Sequence, residues 1–377
     1  MSDELTHILQ KRIADAGGWL PFDQFMQSAL YEPGLGYYES AQVFGEEGDF
    51  VTGAELGPWL ALALCDLIGW GWERMGRPER WSLIEQGGGT GALLVAVAGA
   101  MKHNGIPAPS RIVAVEASAT MRQRQAETYR RSGLKVLQVD SLQQLAPQQN
   151  CLMFCNELVD AFPVRCFVHS DGAMMERGVT VEGDTFRWAT LESPLNDIPE
   201  INPAIRERWP DGYTSEWNPN IDAWQHEVAR IAQHGYLFCI DYGYARSEYY
   251  RPQRMTGTLV AHAGHRASDD VLSSPGTRDI TAHVDFTAVR EAGLRAGLQS
   301  CCWMSQGGWL AQSPSVQQRV QELAAAGDAA SIQALGHAKR MMLPQGMGEL
   351  FKLLIQARGF DPEPPAYLSS FNRVNAL

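Results

Sequence analysis

The run Ser82-Leu83-Ile84-Glu85-Gln86-Gly87-Gly88-Gly89-Thr90-Gly91-Ala92-Leu93-Leu94 carries the sharpest chemical signal in this chain of 377 residues. An apolar strand runs into alternate glycines, and a helix leaves them. Glycines let backbone approach a ligand closely, and the unpaired N–H groups at the start of a helix can receive a carboxylate as readily as a phosphate. The subset Gly87-x-Gly89-x-x-Ala92 also satisfies a dinucleotide fingerprint that ends in alanine. Glu85, together with Gly91, tips the balance the other way. It stands two residues before Gly87, where a pyrophosphate would meet its negative charge and a sulfonium or ammonium group would be drawn to it.

Further polar residues stand where later apolar runs stop. Val113-Ala114-Val115 ends in Glu116, placed to accept hydrogen bonds from both hydroxyls of an adenosine ribose. Val139 is followed by Asp140, whose carboxylate can accept an adenine amino group. The run through Phe154-Cys155 closes on Asn156-Glu157-Leu158-Val159-Asp160. Ligands of open α/β sheets sit outside the carboxyl ends of the strands, so Asn156, Glu157 and Asp160 are expected to face the crevice of Glu85 and Gly87. Each acid also has a plain structural reading as a helix cap or a solvated loop residue, and Asn156 alone could cap the next turn.

These residues need a parallel sheet to gather them, and the patterning from Trp81 onward predicts one. Short apolar runs near 81–86, 111–116, 134–139 and 151–156 alternate with helical stretches at 90–102 and 118–131. Tyr236 to Asp241 reads as a fifth strand, with later strands at 298–304 and 350–357 and one or two helices over 315–342. Residues 3–16 place Leu5, Ile8, Leu9 and Ile13 on one helical face that Gly17-Gly18 ends. About eighty residues separate strands four and five. That is too long for a crossover loop, and its alternating segments suggest a small antiparallel lobe. The expected organisation is an N-terminal helical and loop segment, 1–80, and an α/β domain, 81–377, with insertions at 163–230 and 255–286. The second insertion reads as irregular.

Composition narrows the function classes. Apolar residues make up 45% and charged residues 20%, the balance of a packed globular enzyme rather than a disordered chain. A net charge of −12 with no Lys/Arg-dense stripe argues against nucleic acid as a partner. No apolar stretch of membrane-spanning length occurs, so membrane insertion is not expected. Seven cysteines in a chain this long read as reduced thiols, and the N-terminus lacks the features of a signal or organelle presequence, so the expected location is cytoplasmic. Cys151 and Cys155 are read as small core hydrophobes. The tryptophans Trp188, Trp209, Trp217 and Trp224 are read as core anchors before partner surface.

The ordered motifs together resemble the MidA-like methyltransferases, which include the mitochondrial complex I assembly-factor arginine methyltransferase. They are Tyr31 to Tyr38, Gly48-Asp49-Phe50-Val51-Thr52 with Glu55, Glu85 to Gly91, Asn156 to Val164, Ile240-Asp241-Tyr242-Gly243, Asp279 to Phe286 and Gly346 to Lys352. The resemblance spans most of the chain. It implies a Rossmann-like class I fold with helices on both faces of the sheet, S-adenosylmethionine as cofactor, an N-terminal segment that helps close the cofactor site, and a protein arginine as acceptor. The implied cofactor set is Thr52, Glu85, Gly87, Gly89, Gly91, Glu116, Asp140 and Asn156. Gln86-Gly87-Gly88-Gly89-Thr90 departs from the apolar, Pro/Ala-containing loop of the family while keeping its alternate glycines. Without a mitochondrial presequence the chain reads as a bacterial member.

If the acceptor is arginine, its guanidinium must be oriented, which carboxylates do best through paired hydrogen bonds. Glu157 and Asp160, with Asn156, are the candidates for that work, ahead of Asp49, Glu55 and Asp241. His262, His265 and His283 lie among several aspartates but match no metal-ligand spacing, so no metal is expected. Two other functions stay open at this level: an NAD-linked oxidoreductase using the same glycine turn, and a cofactor-binding assembly scaffold that does no chemistry.

Overall fold

The computed structural model describes residues 2–39, 57–195, 199–264 and 266–377. The chain divides into two compact units, one of Met1–Phe50, Val159–Asp222 and Tyr244–Val289, the other of Val51–Leu158, Ala223–Gly243 and Arg290–Leu377. The segment expected as one N-terminal piece, 1–80, is thus shared between them.

The second unit is built on a seven-stranded path of β1 (Ser82–Gln86), β2 (Arg111–Val115), β3 (Leu137–Val139), β4 (Cys151–Asn156), β5 (Gly235–Tyr244), β6 (Gln299–Ser305) and β7 (Phe351–Arg358). Their spatial order is β6-β7-β5-β4-β1-β2-β3. β3, β2, β1, β4 and β5 run parallel, while β7 lies antiparallel between β5 and β6. From β1 the chain builds outward through β2 to β3, then returns to β1's other side with β4 and β5. The crevice at that reversal, outside the carboxyl ends of β1 and β4, is where open α/β sheets take ligands.

Burial explains the apolar runs. All of β1 is buried, as are the first five residues of β4 and the first seven of β7. Strands covered on both faces need continuous rather than alternating hydrophobicity. Helices α1 (Trp59–Arg74), α2 (Ala92–His103) and α3 (Ala119–Ser132) contribute Trp59, Leu64, Leu94, Val97 and Tyr129 to one core with Leu83, Leu152 and Phe238. α3 begins on Ser118, whose Oγ accepts the Met121 N–H, and stops at Gly133 in the left-handed region. The stretch 315–342 resolves into two helices, Pro314–Ala326 and Ala329–Met342, parted by Gly327-Asp328.

In the first unit the long insertion is an antiparallel sheet, as its alternation suggested. Leu20–Pro21, Ala173–Glu182, Arg165–Ser170 and Thr214–Trp217 lie in that order, and Thr185–Pro194 also pairs with Ala173–Glu182. Phe22 of the helix Phe22–Tyr31 packs on Trp188 at 4.9 Å between rings, and Phe25 meets Phe186 edge-on at 5.3 Å. Trp209 stacks on Tyr213 at 4.5 Å in a cluster with Phe167, Trp217 and Tyr250, so these tryptophans are core anchors. The insertion ends earlier than expected, because the helix Ile221–Ile231 passes into the second unit. The region expected to be irregular, 255–286, holds a three-stranded antiparallel sheet of Val260–Ala263, Arg266–Ser268 and Asp279–Thr281. Strands of three or four residues are too short for alternation to show.

Candidate active site

The glycine turn leaves β1 and enters α2 through Gly87, Gly89 and Gly91, with φ of 66°, 51° and 79°. Gly91 occupies the cap position of α2 and has no side chain, so its cap satisfies none of the first-turn amides. Those N–H groups and the positive end of a twelve-residue helix are what an amino-acid carboxylate needs. The turn is close-packed. A Cβ on Gly91 would lie 2.7 Å from the Tyr129 ring, one on Gly87 would lie 2.8 Å from Leu158 Cδ1, and one on Gly88 would collide with the Glu85 carboxylate.

Glu85 is 1% exposed on the buried strand β1. Among the described residues neither of its carboxylate oxygens has a hydrogen-bond partner. Burial, with the nearby charge of Glu116 as a second cause, pushes its pKa up to about 8. Gln86 points the other way, accepting the Trp224 Nε1–H at 3.1 Å, which accounts for a polar residue at this buried position.

Glu116 follows β2, and its carboxylate accepts the Ser118 N–H at 3.0 Å and the Gln125 amide at 3.4 Å. The same Gln125 Nε2 donates to the Gly89 carbonyl at 3.2 Å, tying the glycine turn to the acid. Gln125 is fully buried. Sequence reasoning missed it, since nothing in the pattern of α3 sets it apart from Gln123. Asp140, beyond β3, keeps its carboxylate on the surface.

Strand register places Phe154 and Cys155 of β4 beside Glu85 and Gln86, so Asn156 and Glu157 emerge next to the turn. Glu157 has φ of 55°, the left-handed region that non-glycine residues rarely enter. Three bonds hold it there. Its N–H donates to the Ile240 carbonyl at 2.9 Å, the following Leu158 N–H donates to Asp241 Oδ2 at 3.2 Å, and Asn156 Nδ2 donates to Glu157 Oε1 at 3.0 Å. Asp241 is fully buried and also accepts the Tyr242 N–H. Its contacts are those of a brace for the turn rather than of a solvated loop acid.

A family model described as "Putative S-adenosyl-L-methionine-dependent methyltransferase" matches residues 63–303. The chain belongs to this class I methyltransferase family, of MidA-like type. A solved structure from Burkholderia thailandensis, described as a "likely methyl transferase" bound to S-adenosyl-homocysteine, is 31% identical with a TM-score of 0.90, covering 100% of this chain and 97% of that one. The protein arginine methyltransferase NDUFAF7 homolog of Drosophila melanogaster is 26% identical over 91% of this chain and 82% of its own length. The zebrafish (Danio rerio) NDUFAF7 is also 26% identical, over 92% and 85%. These likenesses give no support to the NAD-linked oxidoreductase alternative, in keeping with the buried acid at the turn.

S-adenosylmethionine fits the residues present in this methyltransferase. Among the described residues the carboxylate of Glu85 is left without a hydrogen-bond partner and so matches a cationic ligand, and the start of α2, which its glycine cap leaves without a side-chain acceptor, suits the ligand's carboxylate. Asp160 falls in the other unit from Asn156 and Glu157. There it is 5% exposed and close to Tyr38, whose phenol is pushed up by burial first, then by the charge of Asp279 and, to a lesser degree, of Asp160; the Asp160 carbonyl accepts the Ala282 N–H. Tyr31 donates to the Ala161 carbonyl at 3.0 Å and stacks on Tyr38, and Tyr38 donates to Asp279 at 2.9 Å, so the tyrosine motif and the Asp279 motif meet. Thr52, with Asp49 and Glu55, lies outside the described residues, as does His265. Among the described residues no three His, Cys, Asp or Glu side chains gather as metal ligands.

Proposed function

We propose that this methyltransferase transfers a methyl group from S-adenosylmethionine to an arginine side chain of a protein, in the manner named for its relatives. The observation that carries this reading is Glu157, an acid held in a strained backbone conformation beside the glycine turn. In the proposed arrangement Glu85, Gly87, Gly89, Gly91, Glu116, Asp140 and Asn156 hold the cofactor, with Thr52 added from the N-terminal segment. Glu157 orients the guanidinium. The cofactor supplies an already activated methyl group, so the chain's own task is alignment and exclusion of water. The acceptor nitrogen forms a bond to the methyl carbon as the carbon–sulfur bond breaks and its electron pair stays on sulfur. The methylated nitrogen then gives one proton to solvent water, and the carboxylate of Glu157, accepting the remaining N–H groups, holds the methylated cation.

A bacterial origin, a cytoplasmic location and a role in assembling a respiratory complex complete the proposal. All seven cysteines are free and buried, as thiols of a reducing compartment would be, and no helix among the described residues is long and apolar enough to cross a membrane. The test is incubation with S-adenosylmethionine carrying an isotopic methyl label and an extract from cells that lack this gene, followed by peptide mass spectrometry. Label on arginine is the expected result. Label on another residue type, or on small molecules alone, would overturn the acceptor reading.

A further inference from the structure

Two buried carboxylates in this chain are treated very differently. In the first unit Glu216 is 1% exposed and accepts hydrogen bonds from the Tyr249 hydroxyl at 2.7 Å, the Thr258 N–H at 2.9 Å and the Thr258 hydroxyl at 2.5 Å. Burial holds the Glu216 carboxyl above its ordinary value, but these donors offset part of that cost and favour its charged form. In the second unit Glu85 is as deeply buried and receives no donor from the described residues. One ionisable neighbour makes matters worse for a charge: Glu116 faces it from the end of β2. The phenol of Tyr129 faces it from α3, neutral, buried and without a hydrogen-bond partner among the described residues. The strands on either side set Ala114 and Phe154 opposite it in register, and the glycine turn carries no side chain. No cation pairs with it among the described residues.

We propose that Glu85 is neutral in the free protein and gives up its proton when a cationic ligand enters the glycine turn, so that ligand binding expels a proton and the site selects for positive charge. The inference rests on the cofactor assignment above and adds to it a protonation change and a basis for ligand choice. An isolated charge in an apolar site is too costly to persist, whereas the same charge beside a cation is favoured. Ligand charge and Glu85 charge therefore appear together. The raised pKa of this carboxyl, about 8, is consistent with that geometry.

The test is calorimetric titration of the full chain with S-adenosylhomocysteine, which carries the amino-acid ammonium, in buffers of different ionisation enthalpy. 5′-Methylthioadenosine, which lacks the amino-acid part and its charge, is the second probe. Around pH 6.5 S-adenosylhomocysteine should release about one proton per molecule bound, and its affinity should rise by up to about tenfold per pH unit towards pH 8. Methylthioadenosine should release none and bind more weakly. Glu85→Gln, which substitutes a neutral side chain of the same shape, should remain folded and release none; its pH profile accounts for titration of the ligand's own amino group. Binding of S-adenosylhomocysteine with no proton released, or with equal release from Glu85→Gln, would overturn the proposal and leave the cofactor assignment standing. No binding of either ligand to the wild-type chain would instead overturn that assignment.

Discussion

At the residue scale, Glu157 shows how a site is set by backbone as well as by side chain. An L-residue in the left-handed region costs roughly 1–2 kcal/mol, and the bonds from Glu157, Leu158 and Asn156 hold it there. Glu157→Gly should therefore be more stable than Glu157→Ala by about 1 kcal/mol, read as a higher melting temperature. Both should slow methyl transfer to a protein acceptor by about a hundredfold, because the guanidinium loses its orienting carboxylate. A fully active Glu157→Gly would remove the residue from that role. Glu85 carries a pH prediction whose sign follows from its raised value. A carboxyl raised by folding from 4.5 to about 8 contributes stability that is complete below 4.5 and is lost as pH rises through about 8. The ligand-free wild type should thus lose melting temperature across that window relative to Glu85→Gln, a comparison made by calorimetry at a series of pH values.

At the scale of elements, the site depends on how closely strand ends and helix starts approach. Gly91 is both left-handed and pressed against Tyr129 of α3. Gly91→Ala should cost more than about 1 kcal/mol of stability and weaken cofactor binding. Adding Tyr129→Leu should recover part of the loss, since only the collision, not the φ strain, is relieved. β5 contributes through Asp241, which accepts the N–H groups of Leu158 and Tyr242 while fully buried. Asp241→Ala leaves both donors without that partner and should destabilise the chain by about 1–3 kcal/mol per group. Chemical denaturation measures the loss. The glycine pattern and the acids at the strand ends were legible in the sequence because glycine spacing and strand period constrain them locally. The bridging of Gly89 and Glu116 by Gln125, and the brace formed by Asp241, were not, because each joins residues brought together only by the sheet.

At the scale of the whole molecule, a net charge of −12 favours basic partners and makes encounter with them sensitive to salt. Methylation of a basic protein acceptor should slow as ionic strength rises from about 0.05 to 0.5 M, through KM rather than kcat, as steady-state rates would show. Periodicity and burial by themselves determined the parallel core, because strands covered on both faces must be apolar throughout and leave their polar residues at the ends. Alternating segments also pointed to an antiparallel insertion, and glycine spacing placed the turn between β1 and α2. Tertiary structure alone decided that β7 enters antiparallel between β5 and β6, and that the helix at Trp59 joins the sheet unit while Phe22 and Phe25 join the insertion. It also decided that Asp160 and Glu157, three residues apart, belong to different units. Local sequence specifies which face of an element must be buried. It does not specify which of many apolar faces will bury it, and that choice is made by long-range packing.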